Sequence, residues 1–317
     1  MGGTELPQVL ASRPFTISQG REAGLRLPDL RTTRLHAPTH GVRVGSVPDS
    51  LQERAAAFAV GMPSDVAFSH VTAAQLHGLP LPQGLELAEA SDASEAAEVL
   101  DVSRPSVHPR IRRQGCRGHR GLERREVVDL DGLRVVGLAD TWCDLAELSP
   151  SDMGVDDLVI VGDVIANRLE PGGPAALRAA LEARVRPRGK ARLMEAGALV
   201  RVGSRSPMET RSRLMFHRAG FPEPALNAAV FDAHGGWLLG GDLVWHQHRV
   251  VGEYQGADHA SRKRRSADSF RIGLAEDEDY TVIEIFAEDV FGPARRSTLL
   301  HRFARAMNLD PSTLRIA

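Results

Sequence analysis

The sequence predicts a multidomain α/β protein: an N-terminal winged helix, a mixed α+β middle domain and a C-terminal α/β domain. Three observations predict it. At 317 residues the chain is longer than one ordinary core organises. Its apolar fraction of 42% and charged fraction of 25% sit at globular values, which excludes a disordered or fibrous chain. Short apolar runs bounded by Gly and Pro alternate with stretches of helical period along the whole length.

Taken in order, residues 1–13 carry Gly2, Gly3 and Pro7 without a period and are expected to form a disordered leader. From Phe15 to Leu35 two short helices broken at Gly24 lead through a turn into a strand ending at Val44; helix, turn, helix and strand make 14–50 a winged-helix module. The middle domain, 51–170, opens with a helix over Leu51–Val60 and a second that starts after Ser69 as N-cap and stops at Gly78 and Pro80. Adjacent Ser69 and His70 cannot supply the geometry of a catalytic triad and receive no role. Strands are expected at Leu85–Leu87, Val107–Arg112, Val127–Leu130 and Leu133–Val136, the last two joined by the turn signal Asp131-Gly132. The pattern is helical from Ala139 through Trp142 to Leu169. Glu170-Pro-Gly-Gly-Pro174 interrupts it, and helices over Ala175–Arg184 and Ala191–Val202 form a connector, 171–203.

The C-terminal domain, 204–317, begins on Ser206-Pro207-Met208-Glu209, the signature of a capping box with Pro at the first helical position. Capping alone explains Glu209, without excluding a role in chemistry. The helix ends at Gly220. Ala228–Phe231, Trp237–Leu239, Asp242–Trp245 and Arg249–Gln255 then read as an antiparallel meander. A hairpin turning near Gln247 sets Asp242 beside Gly252 and Glu253, and alternation gives Val251, Glu253 and Gln255 one face. Two ionised carboxylates in a mostly apolar hairpin repel each other, and a hard divalent cation relieves that cost. The alternative keeps Asp242 as a turn residue and Glu253 as an exposed strand residue.

Charge and cysteine usage narrow the function classes. The net charge of −2 argues against a general nucleic-acid coat protein, yet the charge is patterned. Arg104–Arg125 holds eight arginines and one acidic residue, and Arg184–Arg213 holds eight arginines and Lys190 against Glu195 and Glu209. Each stretch is either a phosphate-binding patch or a solvated face. Cys116 and Cys143 are too few for a disulfide framework and lack the spacing of a zinc site. With no signal peptide, lipidation motif or membrane span in the sequence, a cytoplasmic protein is expected.

Ser206-Pro-Met-Glu-Thr-Arg211, Gly241-Asp-Leu243, Val251-Gly-Glu-Tyr-Gln-Gly256 with His259, and Asp268 with Arg271 together resemble the very-short-patch-repair-like endonuclease domains, a branch of the PD-(D/E)XK nuclease superfamily, over residues 204–310. The resemblance implies a restriction-endonuclease-like α/β domain with a central mixed sheet. It implies Asp242, Glu253 and Glu209 as ligands of Mg²⁺ or Mn²⁺, Gln255 as the residue that orients water or phosphate, and His259 in proton transfer. The superfamily usually carries Lys where this chain has Gln255, and Gln offers neither positive charge nor a base. Arg211 and the run Arg262, Lys263, Arg264 and Arg265 are expected to contact DNA phosphates, the run otherwise being a solvated face. Asp268 and Arg271 have the spacing of an intrahelical ion pair.

The N-terminal 80 residues, in Phe15–Val44 and from Ser69-His-Val-Thr-Ala-Ala74 to Pro82, resemble type IV abortive-infection antitoxins, which implies DNA contact there as well. The expected function is a metal-dependent DNA endonuclease of repair or phage defence that binds DNA, with a homodimer open. The alternative is a DNA-binding regulator or antitoxin whose nuclease-like domain is inactive.

Overall fold

The computed structural model describes residues 6–32, 34–85, 99–256 and 273–316, a mixed α/β chain with several sheets. It divides into two units: Met1–Leu158 with Ala175–Met194, and Val159–Pro174 with Glu195–Ala317.

In the first unit α1 (Gln8–Ala11) buries Leu10 against Phe15, Leu25 and Leu30, so part of the expected disordered leader is a packed turn of helix. β1 (Phe15–Thr16) leads into α2 (Ile17–Glu22), where Thr16 and Gln19 close both halves of a capping box. The second helix expected before Leu35 is instead a 3-10 turn, Asp29–Arg31, ended by Thr32, which is extended at ψ 155° and donates its hydroxyl back to Asp29 O. β1 pairs antiparallel with β2 (Val42–Arg43). A recognition helix is therefore not among the described elements of 14–50.

α3 (Leu51–Val60) starts at Ser50, whose hydroxyl accepts from the Glu53 N–H. β3 (Ala67–Phe68), α4 (His70–Leu76), β4 (Leu100–Arg104), β5 (Cys116–Arg120), β6 (Val127–Leu130) and β7 (Leu133–Val136) follow. The five strands order β5-β4-β3-β7-β6 around a core of Phe58, Phe68, Leu100, Val102 and Val135. The Asp131-Gly132 hairpin forms as expected, with positive φ at both residues and Leu130 opposite Leu133. Val107–Arg112 is not a strand. Pro105 and Pro109 remove ladder N–H groups there, and the strands lie on either side as β4 and β5. Leu85 lies in a turn, and 86–87 fall outside the described residues.

The expected long helix is two. α5 (Leu138–Leu145) ends before a segment holding Pro150 and Gly154, and α6 (Val155–Arg168) starts after it. α7 (Gly173–Glu182) and α8 (Lys190–Leu199) come next.

In the second unit α9 (Pro207–Ala219) is capped by Ser206 and closed by Gly220 at φ +87°, the left-handed geometry that terminates a helix. β8 (Ala225–Phe231), β9 (Trp237–Trp245) and β10 (Val250–Tyr254) form the expected meander, with β9 running unbroken through Gly240-Gly241. After helical residues at 273–277 (α10), β11 (Thr281–Ile285) joins β10 in parallel, giving a mixed sheet of order β11-β10-β9-β8. α11 (Ala287–Phe291) and α12 (Pro293–Ala306) complete the unit. Phe216 of α9, Trp245 of β9 and Phe303 of α12 meet edge to face in one core cluster, and Val230, Val244, Val251 and Ala275 form another. Arg213 of α9 and Asp163 of α6, both fully buried, pair at 3.0 Å. Among the described residues no helix is long and apolar enough to cross a membrane.

Candidate active site

Glu209 stands in the first turn of α9. The Ser206 hydroxyl accepts from the Glu209 N–H at 3.1 Å, which is half of a capping box. The other half is redirected. Oε2 of Glu209 accepts from the Arg205 N–H at 2.8 Å and from Nδ2 of Asn227 at 2.6 Å. Asn227 also donates to Gly203 O at 2.9 Å and holds φ at +45°, a conformation Asn tolerates better than most residues. The carboxylate is thus fixed over the sheet at 8% exposure.

Asp242 reaches the same place from β9. The ladder Val250↔Trp245, Val251↔Val244 and Gly252↔Leu243 brings it level with Glu253, the next residue on β10. The Tyr254 N–H donates to Oδ2 of Asp242 at 2.8 Å. Burial pushes the Asp242 carboxyl above the ordinary range and the charge of Glu209 pushes it further, against the Tyr254 N–H and Arg205. Gly241 makes the approach possible: a Cβ there would lie 2.5 Å from a Val251 methyl and 3.5 Å from Oε1 of Glu253. Asp242 is thus coupled by charge to Glu209, and Glu253, half-buried, stands level with it on β10; Glu209, Asp242 and Glu253 are not among the described residues whose ligand atoms lie within 4.8 Å of one another.

The remaining expected residues divide. Gln255 follows β10, its N–H bonded to Ile285 O at 2.8 Å and its side chain exposed at the same end of the sheet. Arg211 lies with its guanidinium 5.9 Å from the centroid of the Phe291 ring. His259, Arg262, Lys263, Arg264, Arg265, Asp268 and Arg271 lie outside the described residues. Sequence reading missed Asn227 and Arg205. The signal for Asn227 was a lone polar side chain within the apolar run Ala225–Phe231; nothing local marked Arg205.

A different set of ligand-type atoms sits in the first unit, where His70, Asp144 and Glu147 offer three within 4.8 Å of one another. The Ser69 hydroxyl does not cap α4; it meets Ser103 Oγ at 2.8 Å and His70 Nδ1 at 3.0 Å. Asp144, fully buried, is bound by Arg125 at 2.8 Å and Arg184 at 3.0 Å. Burial alone would raise its carboxyl, but His70, Arg125 and Arg184 together hold it below the usual range. No protein-family model, curated protein or solved structure matches the chain, so the reading of both places rests on their own geometry.

Proposed function

We propose that the second unit is a metal-dependent DNA endonuclease, with Glu209, Asp242 and Glu253 as the acids that would hold Mg²⁺ or Mn²⁺. The observation that carries this reading is the charge coupling of Glu209 on α9 with Asp242 on β9, whose carboxyl is raised by burial and by Glu209, with Glu253 level with it on β10. A divalent cation fits such a donor set: hard, oxygen-only, and with a like-charge cost for the ion to remove. When bound, the ion supplies Lewis-acid polarisation of a phosphoryl oxygen and acidifies a water.

The chain's own residues do the rest. Arg205 and Asn227 hold Oε2 of Glu209, so a cation would take the other oxygen. The Tyr254 N–H orients Asp242 in the same way. Gln255 would orient a water or phosphate by hydrogen bonding, without supplying charge. Helix, three antiparallel strands, helix and a parallel strand agree with the mixed sheet that the resemblance to very-short-patch-repair-like endonucleases implies. The DNA is held, in this reading, by Arg211, the run Arg262–Arg265 and the N-terminal module. A cytoplasmic location and a homodimer belong to the same proposal.

Specific contacts favour a second reading, a DNA-binding regulator or antitoxin with an inactive site. One oxygen each of Asp242 and Glu209 is already satisfied by protein donors, and Gln255 replaces the usual Lys. One experiment separates the two. The purified chain is incubated with mismatched, modified, branched and single-stranded DNAs, with and without Mn²⁺, while Mn²⁺ binding is titrated on wild type and Asp242→Asn. Metal-dependent cleavage that Asp242→Asn abolishes supports the enzyme. DNA binding without metal binding or cleavage leaves the regulator.

A further inference from the structure

The two basic stretches of the sequence meet in the first unit. Residues that follow β4, β5 with the turn after it, and 184–188 wall a cavity of about 650 Å³, inside the roughly 300–1,000 Å³ of small-molecule sites. Some of its arginines are spent. Arg125 and Arg184 neutralise Asp144, Arg184 also reaches Asp140 at 2.9 Å, and Arg117 lies 3.7 Å from Asp101. Arg110, Arg120, Arg124, Arg186 and Arg188 line the same cavity, and among the described residues no carboxylate pairs with them. The acids of the lining are Glu123, which accepts from the Ser106 N–H at 3.0 Å, and Glu147. Gathered guanidiniums with so little compensation repel one another until an anion enters.

His70 adds a donor that the protein leaves unspent. It is 3% exposed, lines the cavity and stacks on His119 at 3.7 Å, while His119 is held by Asp101 at 2.8 Å. Nδ1 of His70 lies 3.0 Å from the Ser69 hydroxyl, which itself accepts from Ser103; with the Ser69 proton given to Nδ1, or with the ring doubly protonated, Nε2 carries a proton. That buried Nε2 has no hydrogen-bond partner, and Glu147 at 3.9 Å attracts it without accepting a bond. Nε of Arg184 is likewise buried without a partner. Metal binding is the poorer use of the cluster, because two guanidiniums already neutralise Asp144 and five more would repel the ion. Burial pushes the Cys143 thiol in the wall up to about 12, which removes it as a nucleophile.

The geometry points to a phosphate-binding site here, one that takes the terminal phosphate of a nucleotide, free or at the end of a nucleic-acid strand. Guanidinium forks match phosphate oxygens in pairs, and a phosphomonoester carries the double charge that several of them suit. The volume exceeds what a bare phosphate fills, and arginine planes with the imidazole pair give a base something to stack on. The inference does not rest on the nuclease reading.

The test uses the full chain carrying Asp242→Asn, in EDTA, so that cleavage has no bearing on the result. Binding of a 5′-phosphorylated hexathymidylate, its unphosphorylated twin and AMP is measured by competition against the labelled phosphorylated strand. The phosphorylated strand should bind at least roughly tenfold tighter than its twin, as a charge-assisted contact to one end group requires. The combined Arg120→Gln, Arg186→Gln and Arg188→Gln changes, all at exposed side chains, should remove that discrimination with an unchanged melting temperature. Competition by AMP at similar affinity assigns the site to free nucleotide; retained discrimination without it assigns the site to strand ends. His70→Gln, which keeps a donor, should lose less than His70→Leu. Equal affinity for the two strands with no binding of AMP overturns the inference, and so does a triple variant that discriminates as well as its parent.

Discussion

Replacing Asp163 by Ala removes the counter-charge of an arginine that no water reaches. Arg213 is 0% exposed and Asp163 1%, and they pair at 3.0 Å. The same carboxylate accepts from the Thr210 hydroxyl at 2.8 Å and from the Arg201 N–H at 2.8 Å. Glu223, at 3.4 Å, is a distant substitute for Arg213. Breaking a buried pair by deleting one member typically costs about 3–5 kcal/mol, because the remaining charge is uncompensated. The Thr210 hydroxyl keeps Ser204 at 2.8 Å, so its loss adds little. The expected drop in melting temperature is on the order of 10 °C. Urea unfolding followed by hydrogen exchange at the α9 amides reads this unit apart from the other. Replacing both partners, Asp163→Leu with Arg213→Met, should recover most of the loss, since an apolar pair of similar volume needs no solvation. A cost below about 1 kcal/mol for Asp163→Ala, or simple additivity in the double variant, would mean that Arg213 does not depend on this carboxylate.

The other predictions concern the two sites. Because the Asp242 carboxyl is raised, its stabilising contribution is present at low pH and is lost as pH rises through its folded value; Asp242→Asn should therefore flatten that loss in metal-free melts, and an unchanged pH profile counts against it. Asp242→Ala and Glu253→Ala should each abolish cleavage, and Mn²⁺ well above its dissociation constant should stabilise wild type but neither variant, by roughly 1–3 kcal/mol. Gln255→Lys distinguishes a degenerate site, where activity rises, from one tuned to Gln, where the added charge competes with the metal and activity falls. The carboxyls of Glu147, held low first by His70 beside it, and Asp144 are depressed, so their contribution is present above the ordinary carboxylate range and is lost as pH falls through the lowered values. Acid titration of Asp144→Asn, followed at Trp142, should lack that transition, and a wild-type-like curve would speak against the network.

Elements whose signals are local were legible in the sequence. Ser206 and Gly220 bound α9 because a cap hydroxyl and a left-handed glycine act within one turn of chain. Asp131-Gly132 makes its hairpin for the same reason, and alternation along β9 and β10 was enough to bring Asp242 level with Glu253. Where several weak local signals compete, packing decided. Leu10 is ordered by Phe15 and Leu30, the helix after Gly24 shrinks to a 3-10 turn, and Gly240-Gly241 continues a strand instead of breaking it.

Tertiary contact of α9 with β8 redirects Glu209 from its own N-cap to Asn227, 18 residues on. Folding likewise joins Arg110–Arg125 to Arg184–Arg188 around His70, a residue that its neighbour Ser69 alone gave no reason to single out. The physical reason is the same in both cases: a side chain's role is set by the charges and donors that surround it once buried, and those come from segments whose separation along the chain leaves no trace in any local pattern.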